Sequence, residues 1–158
     1  MNSPERLTVS ESIDLVSAWT SDSKAVLFDS DRTGRRQIFR QRLDQDSAQA
    51  LIQGKDDDSD AEFSPDGAWI FYWSAPHGGA NSSPAKTRLM RFPIAGGSPE
   101  EVLETTMDAP TDFHCPSSPG SSCVVSYWEQ GQLIFNAVDP MRGRGDVIAR
   151  TKMGMPDN

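Results

Sequence analysis

The sequence predicts an all-β fold built from repeated units of four short antiparallel strands. Three observations support this prediction: the apolar runs are short, turn-forming residues separate them, and one pattern recurs along the chain. The 12 glycines and 11 prolines among 158 residues disfavour a helical bundle. The length suits one domain of ordinary size.

The first half of the repeat is an aromatic residue, a four-residue turn and a dense apolar run. Residues 19–28 and 63–72 share this pattern at an offset of 44. The turn Ser64-Pro65-Asp66-Gly67 is strong, because proline presets φ, aspartate caps its own backbone and glycine accepts a positive φ. Residues 20–23, Thr-Ser-Asp-Ser, form a weaker version of the same turn.

The second half of the repeat is a strand that mixes apolar and polar residues, as half-buried strands do. It occurs at residues 37–44, 88–95 and 132–139, with offsets of 51 and 44. The third unit has diverged, because the Pro- and Ser-rich residues 116–122 replace its short turn. Its second strand, at residues 123–128, is still clear.

Each unit therefore contains four predicted strands. They are placed at 16–19, 25–29, 37–43 and 48–52, at 60–63, 68–73, 88–94 and 99–104, and at 111–115, 123–128, 132–138 and 145–150. The repeat length is that of a four-stranded propeller blade. We expect a partial β-propeller in one domain, with blades at approximately 14–54, 58–105 and 111–151 and one extra N-terminal strand at 6–9.

Two motifs resemble the TolB-like β-propeller repeat family. One is Phe-Ser-Pro-Asp-Gly at residues 63–67, and the other is the Ser-x-Arg-x-Gly hairpin at residues 30–34, which includes Asp31, Arg32 and Gly34. The resemblance covers nearly the whole chain. It implies a scaffold or sensor module like those that follow winged-helix or Ser/Thr kinase domains in bacterial sensor-type proteins. It implies neither catalysis nor a cofactor.

Three blades do not close a ring, because closed propellers have about four to eight blades. An open propeller leaves apolar sheet faces in water, and such faces are association sites. We therefore expect one of two arrangements. Either the remaining blades belong to a longer parent chain, or two copies associate as a homodimer that completes a six-blade ring.

The only two cysteines, Cys115 and Cys123, flank a loop of turn-forming residues that could bring them within disulfide range. The alternative in a cytosolic chain is two free thiols. A disulfide would place this part of the parent protein outside the cytoplasm, in the periplasm. A zinc site needs about four ligands. Only His77 and His114 could join the cysteines, so we expect no metal.

The charge balance excludes several classes of partner. Lys and Arg total 15 against 23 Asp and Glu, which gives a net charge of -8 and disfavours nucleic acids and anionic membranes. No apolar run has the length of a membrane helix. The acidic residues 56–60 lack the spacing of an EF-hand, so we expect a solvated loop there, and we expect His77 to be a solvated loop residue.

Catalysis is not expected, because no Gly-x-Ser-x-Gly nucleophile elbow occurs. The leading hypothesis is a non-catalytic module that binds a protein or a small ligand. The alternative is the gating propeller of a prolyl-oligopeptidase-like peptidase whose catalytic domain is absent from this chain.

Four tryptophans lie on predicted strands. Trp19 and Trp69 occupy positions where propellers pack blade against blade, so we expect both in the core. Trp73 and Trp128 both end the second strand of their unit, and we expect them to line one mouth of the channel.

Overall fold

A computed structural model describes residues 7–8, 11–78, 86–106, 112–116, 118 and 120–152. Within these residues the chain forms the following strands: β1 (Asp14–Trp19), β2 (Ala25–Ser30), β3 (Gln37–Arg42), β4 (Gln49–Ile52), β5 (Asp57–Phe63), β6 (Trp69–Ala75), β7 (Lys86–Pro93), β8 (Glu100–Thr106), β9 (Asp112–His114), β10 (Cys123–Glu129), β11 (Gln132–Asp139) and β12 (Gly143–Lys152). No helix in this part of the chain is long and apolar enough to cross a membrane.

The strands form three four-stranded antiparallel sheets, which we call blades 1, 2 and 3. Blade 1 contains β1 to β4, blade 2 contains β5 to β8 and blade 3 contains β9 to β12, and strands adjacent in sequence are paired in space. The predicted all-β fold with three four-stranded units is therefore confirmed.

Four strands, β1, β5, β7 and β12, begin two or three residues earlier than the repeat pattern predicts, and bulges account for β1 and β5. β1 begins at Asp14 and β5 at Asp57. Each contains a register shift, between Val16 and Ala18 in β1 and between Ser59 and Glu62 in β5. A bulge interrupts the alternation of inward and outward side chains, so the hydrophobic pattern reveals only the part of each strand beyond it.

The blades stack through opposite faces of each sheet, because successive side chains on a strand point to opposite sides. On β6, Ile70 and Tyr72 pack against blade 1, whereas Phe71 and Trp73 pack toward blade 3. The cluster between blades 1 and 2 contains Leu27, Ile38, Ile52, Ala61, Ile70 and Tyr72. The cluster between blades 2 and 3 contains Phe71, Trp73, Leu89, Leu103, Cys115, Cys123, Val125, Tyr127, Ile134 and Val138.

Trp73 corrects one sequence prediction. It was expected to line the channel mouth, but it is only 7% exposed and belongs to the cluster between blades 2 and 3. Its position on β6 places it on the same face as Phe71, and blade 3 covers that face. Trp69 packs against the same cluster, as the repeat predicts, and the Arg91 guanidinium lies 4.4 Å from the centroid of its ring.

A third cluster covers the outer face of blade 1. Val26, Phe28 and Phe39 are each at most 4% exposed there, and Leu7 packs against them. Leu7 and Thr8 lie outside any strand, so the predicted extra strand is not formed at these two positions. The other two residues of that prediction, 6 and 9, lie outside the described part of the chain.

The predicted Ser-x-Arg-x-Gly hairpin also stabilises blade 1. Both carboxylate oxygens of Asp14 accept hydrogen bonds of 3.1 Å from Arg32 Nη2. The Arg32 guanidinium also lies 4.7 Å and 5.0 Å from the ring centroids of Phe39 and Phe28. Gly34 closes the turn by donating its N–H to the carbonyl of Asp31. The hairpin thus joins β1 to the outer rim of the blade through a cation that also covers two aromatic rings.

The predicted repeat turns share one hydrogen-bond pattern. In blade 2, Ser64 Oγ donates to Asp66 Oδ1 and accepts the N–H of Trp69, at 2.5 and 2.9 Å. In blade 1, Thr20 Oγ1 donates to Asp22 Oδ1 and accepts the N–H of Ala25, at 2.6 and 3.0 Å. The weaker sequence in blade 1 therefore forms the same turn.

Gly67 and Ser23 occupy the same left-handed position of the two turns, with φ of 68° and 55°. A Cβ added at Gly67 would have no atom within 4 Å. A side chain there would therefore be unfavourable only because of the positive φ of the backbone. We predict that Gly67→Ala lowers the free energy of unfolding by about 1 kcal/mol. Ser23→Gly should raise it by about 0.5 kcal/mol, because the strain at a non-glycine residue is removed. Chemical denaturation measures both changes in the free energy of unfolding. Equal changes for the two substitutions would contradict the left-handed geometry that the two turns share.

Cys115 and Cys123 form the expected disulfide, with their Cα atoms 4.2 Å apart. Both are buried in the cluster between blades 2 and 3. The bond holds the start of β10 to the residue after β9, where the Pro- and Ser-rich loop replaces the short turn. The disulfide therefore replaces the turn hydrogen bonds that close the first hairpins of blades 1 and 2.

Reduction should lower the free energy of unfolding by about 2–3 kcal/mol, because a loop of this size loses its closure restraint. Thermal melting with and without reductant measures this change. The double variant Cys115→Ser with Cys123→Ser should melt like the reduced protein and should not respond to reductant. Rapid alkylation of two thiols in the unreduced protein would contradict the bond.

Candidate functional site

A groove of about 620 Å³ opens between blades 1 and 2, on the face that carries the two repeat turns. Leu27 and Ile70 from the shared core reach its floor. Its walls are apolar residues from both blades, namely Trp19, Leu51, Phe63 and Ile94. The groove follows from the blade repeat, because two neighbouring sheets separate where their first hairpins turn.

Trp19 is the largest exposed apolar side chain of the groove, with 56% of its surface accessible. The sequence prediction that it belongs to the core is wrong. Its repeat equivalent Phe63 pairs with Ile70 and packs against blade 1. Trp19 pairs with Val26 on the outer face of blade 1, which no other described blade covers. The same repeat position is therefore half-buried in blade 2 and accessible in blade 1.

Fixed negative charges lie at the rim of the groove. Asp22 and Asp66 are exposed in the two repeat turns. Hydrogen bonds from the Thr20 hydroxyl and the Lys24 N–H lower the pKa of Asp22, and those from the Ser64 hydroxyl and a backbone N–H lower the pKa of Asp66. Both carboxylates are thus ionised well below neutral pH.

A third carboxylate and one cation complete the polar lining. Glu62 lies in the groove, where burial raises its pKa, and its Oε1 is 3.1 Å from Nδ1 of His114. His114 is largely exposed, with 78% of its side chain accessible. Arg40 supplies the positive charge. The groove therefore combines an apolar wall with three carboxylates and one guanidinium.

The acidic residues 56–60 lie elsewhere, at the start of β5: residue 56 precedes the strand and residues 57–60 belong to it. They were expected to form a solvated loop, but most of them are in a strand and several are paired. Asp56 binds the Arg88 guanidinium, and Asp57 accepts the N–H of Arg36 at 3.0 Å. His77, expected as a solvated loop residue, places Nδ1 2.9 Å from Asp57 Oδ1 while its side chain stays 45% exposed. Among the described residues, no group of three or more His, Cys, Asp or Glu is arranged to hold a metal ion.

Asp58 is the buried member of this cluster, with 3% exposure. Burial raises the pKa of its carboxyl to about 6, with a smaller contribution from the charges of Asp56 and Asp57 and opposition from a hydrogen bond with Ser74. The folded protein therefore binds this proton more tightly than the unfolded chain. The favourable contribution of this bound proton to stability is complete when the pH is below 3.8, the ordinary pKa of an aspartate. It is lost as the pH rises through about 6, the pKa of Asp58 in the folded protein.

We predict that Asp58→Asn stabilises the protein at pH 7 by up to about 3 kcal/mol and that the gain disappears toward pH 4. Denaturation at a series of pH values measures the difference. Asp46→Asn, which removes one exposed charge, controls for the change in net charge. A gain that does not depend on pH would contradict the raised pKa.

The remaining predicted site residues lie outside this groove or shape its rim. Ser64, Pro65, Asp66 and Gly67 form part of the rim as well as the turn. Trp128 is half-buried at the end of β10 and does not line the groove. The sequence analysis missed Trp19, Arg40 and Ile94 as groove residues. The signal available for Trp19 was its alignment with Phe63, a position that faces the preceding blade in blade 2, whereas no described blade precedes blade 1.

Comparison with known proteins identifies the fold. No family model and no curated protein matches the chain. A TolB protein from Agrobacterium tumefaciens superposes with a TM-score of 0.66 at 17% identity, over 90% of this chain and 52% of that one. TolB from Acinetobacter baumannii gives a TM-score of 0.62 at 25% identity, over 82% of this chain and 32% of that one.

A further neighbour is a protein assigned as a 6-phosphogluconolactonase from Bacteroides uniformis, with a TM-score of 0.51 at 17% identity over 91% of this chain and 42% of that one. The chain thus spans about half the length of the Agrobacterium protein and a third of the Acinetobacter protein. The fold class is a β-propeller. Within that class the chain has the TolB-like propeller fold, which confirms the resemblance predicted from its repeat motifs.

Proposed function

We propose that this chain is a non-catalytic β-propeller module that binds a partner polypeptide in the groove between blades 1 and 2. The observation that carries the proposal is the accessible indole of Trp19 in a groove of about 620 Å³. Aromatic side chains that are both rigid and accessible are the usual centres of binding energy at protein interfaces. Concave sites with an apolar wall and a few polar groups are the usual form of binding sites.

The charges of the groove favour a partner segment that alternates basic and apolar residues. Asp22 and Asp66 supply permanent negative charge at the rim. Glu62 lies deeper, where burial raises the pKa of its carboxyl and the exposed His114 is its side-chain neighbour. A lysine or arginine from the partner could pair with this carboxylate beside His114 and could contact the face of Trp19. The net charge of -8 would also attract a cationic segment from a distance.

The polar groups of the groove support binding rather than catalysis. The hydroxyls of Thr20 and Ser64 each donate to an aspartate and accept a backbone N–H, so both are committed to their turns. His114 and His77 each place Nδ1 against one carboxylate, and both imidazole rings remain exposed. Such pairs are ordinary features of a protein surface.

The disulfide supports a location for this module. Structural disulfides persist in oxidising compartments and are rare in the cytosol. The bond between Cys115 and Cys123 is buried in the core between two blades. We therefore propose that the module works outside the cytoplasm.

Two synthetic octapeptides test the binding proposal, one alternating lysine with leucine and one alternating glutamate with leucine. The lysine peptide should bind and the glutamate peptide should not. Trp19→Ala should weaken binding of the lysine peptide by about tenfold or more, as loss of an aromatic anchor does. Titration calorimetry measures both affinities.

Leu43→Ala is the matched control, because Leu43 is 49% exposed and lies outside the groove lining. It should leave binding unchanged. Glu62→Gln should weaken the lysine peptide only. Equal affinity of both peptides for the parent, or equal affinity of the Trp19→Ala variant and the parent for the lysine peptide, would overturn the proposal.

A further inference from the structure

The outward face of blade 3 carries an apolar patch that none of the described core clusters covers. We define it as Val124, Trp128, Leu133, Phe135 and Ala137, which are all half-buried. Alternation along β10 and β11 places them opposite the residues that pack against blade 2. Three cross-strand pairs, Val124 with Ala137, Ser126 with Phe135 and Trp128 with Leu133, arrange them as one continuous patch.

The repeat shows what kind of surface covers such a patch. Leu133 aligns with Leu89 in blade 2 and with Ile38 in blade 1. Those two residues are fully buried, because the next blade packs on them. Leu133 occupies the same position in the last described blade and is half-buried. The outward face of blade 3 therefore continues the series of blade-to-blade interfaces already present in the chain.

The complementary surface lies at the other end of the chain, on the outer face of blade 1. Val26 and Phe28 align with Ile70 and Tyr72, the two residues of β6 that receive blade 1. Val16 and Trp19, paired with Phe28 and Val26, complete this acceptor face and are 66% and 56% exposed. The chain thus presents one donor face and one acceptor face of the same interface.

Part of the acceptor face is already occupied by the chain itself. Leu7 packs on Val26, Phe28 and Phe39. The buried amide of Gln41 donates to the carbonyl of Leu7 at 2.9 Å. We call Leu7 and Thr8 the N-terminal plug. The plug covers the β2 and β3 side of the acceptor face and leaves the β1 side open.

We propose that the outward face of blade 3 docks on the outer face of blade 1 of a second copy, and that the N-terminal plug competes with this docking. Two such contacts related by a two-fold axis would close a ring of six blades. The occupant is a second copy because both complementary faces belong to this chain and because the contact repeats an interface that it forms twice. Trp19 borders both this face and the groove, but Leu7 and Phe135, which test the docking, lie outside the groove lining.

Light scattering after size exclusion, over a wide range of concentrations, tests the proposal on the full chain. The unsubstituted chain should show a monomer–dimer equilibrium. Leu7→Ser weakens the plug without changing either blade, so it should lower the dimer dissociation constant by about tenfold. Phe135→Asp places a charge on the outward face of blade 3 and should abolish the dimer in both backgrounds.

Met141→Asp is the matched control, because Met141 is 63% exposed and lies on the turn between β11 and β12, outside both faces. It adds the same charge and should leave the dimer intact. If Leu7→Ser fails to fold, Phe135→Asp and Met141→Asp can still be compared as single substitutions. That comparison decides whether blade 3 forms the contact.

Three results would overturn the proposal. In the first, the unsubstituted chain and a folded Leu7→Ser variant both remain monomeric. The second is a dimer that resists Phe135→Asp. The third is a dimer that Phe135→Asp abolishes but folded Leu7→Ser does not strengthen, which would indicate that blade 3 packs on blade 3. A stoichiometry above two would equally exclude the closed ring.

Discussion

The structure depends on one constraint, the alternation of side chains across a β-strand. Each blade is a single sheet with two apolar faces, and both faces must be covered. In blade 2, Ile70 and Tyr72 face one neighbour while Phe71 and Trp73 face the other. The blades on either side supply the cover. The two end blades solve the same problem differently, because blade 1 receives Leu7 on its outer face and blade 3 keeps a half-buried apolar patch.

Polar groups fix the geometry that this packing leaves open. In the repeat turns of blades 1 and 2, a hydroxyl donates a hydrogen bond to an aspartate in the same pattern. The first hairpin of each blade therefore has the same turn geometry. Arg32 joins β1 to the outer rim of blade 1 through Asp14. In blade 3, where the short turn is absent, a disulfide links the residue after β9 to the start of β10. Each device is local, which explains why the repeat tolerates different sequences at one position.

The groove and the acceptor face share Trp19. It is accessible because no described blade covers the outer face of blade 1, and the same residue borders the gap between blades 1 and 2. In blade 2 the equivalent residue, Phe63, is half-buried against blade 1. Both proposed interactions therefore use the accessible aromatic surface of Trp19.

The sequence by itself determined the repeat, the four strands of each unit and the Ser64-Pro65-Asp66-Gly67 turn, and it restricted any disulfide to Cys115 and Cys123, because all of these depend on local spacing; the structure decided that the bond forms. The structure decided the exposure of Trp19, the burial of Trp73 and the burial of Asp58. Alternation along a strand shows that a residue points to one of two faces, but which neighbour covers that face depends on the packing of distant segments. Burial, and with it the pKa of a carboxyl such as Asp58, therefore follows from the tertiary structure alone.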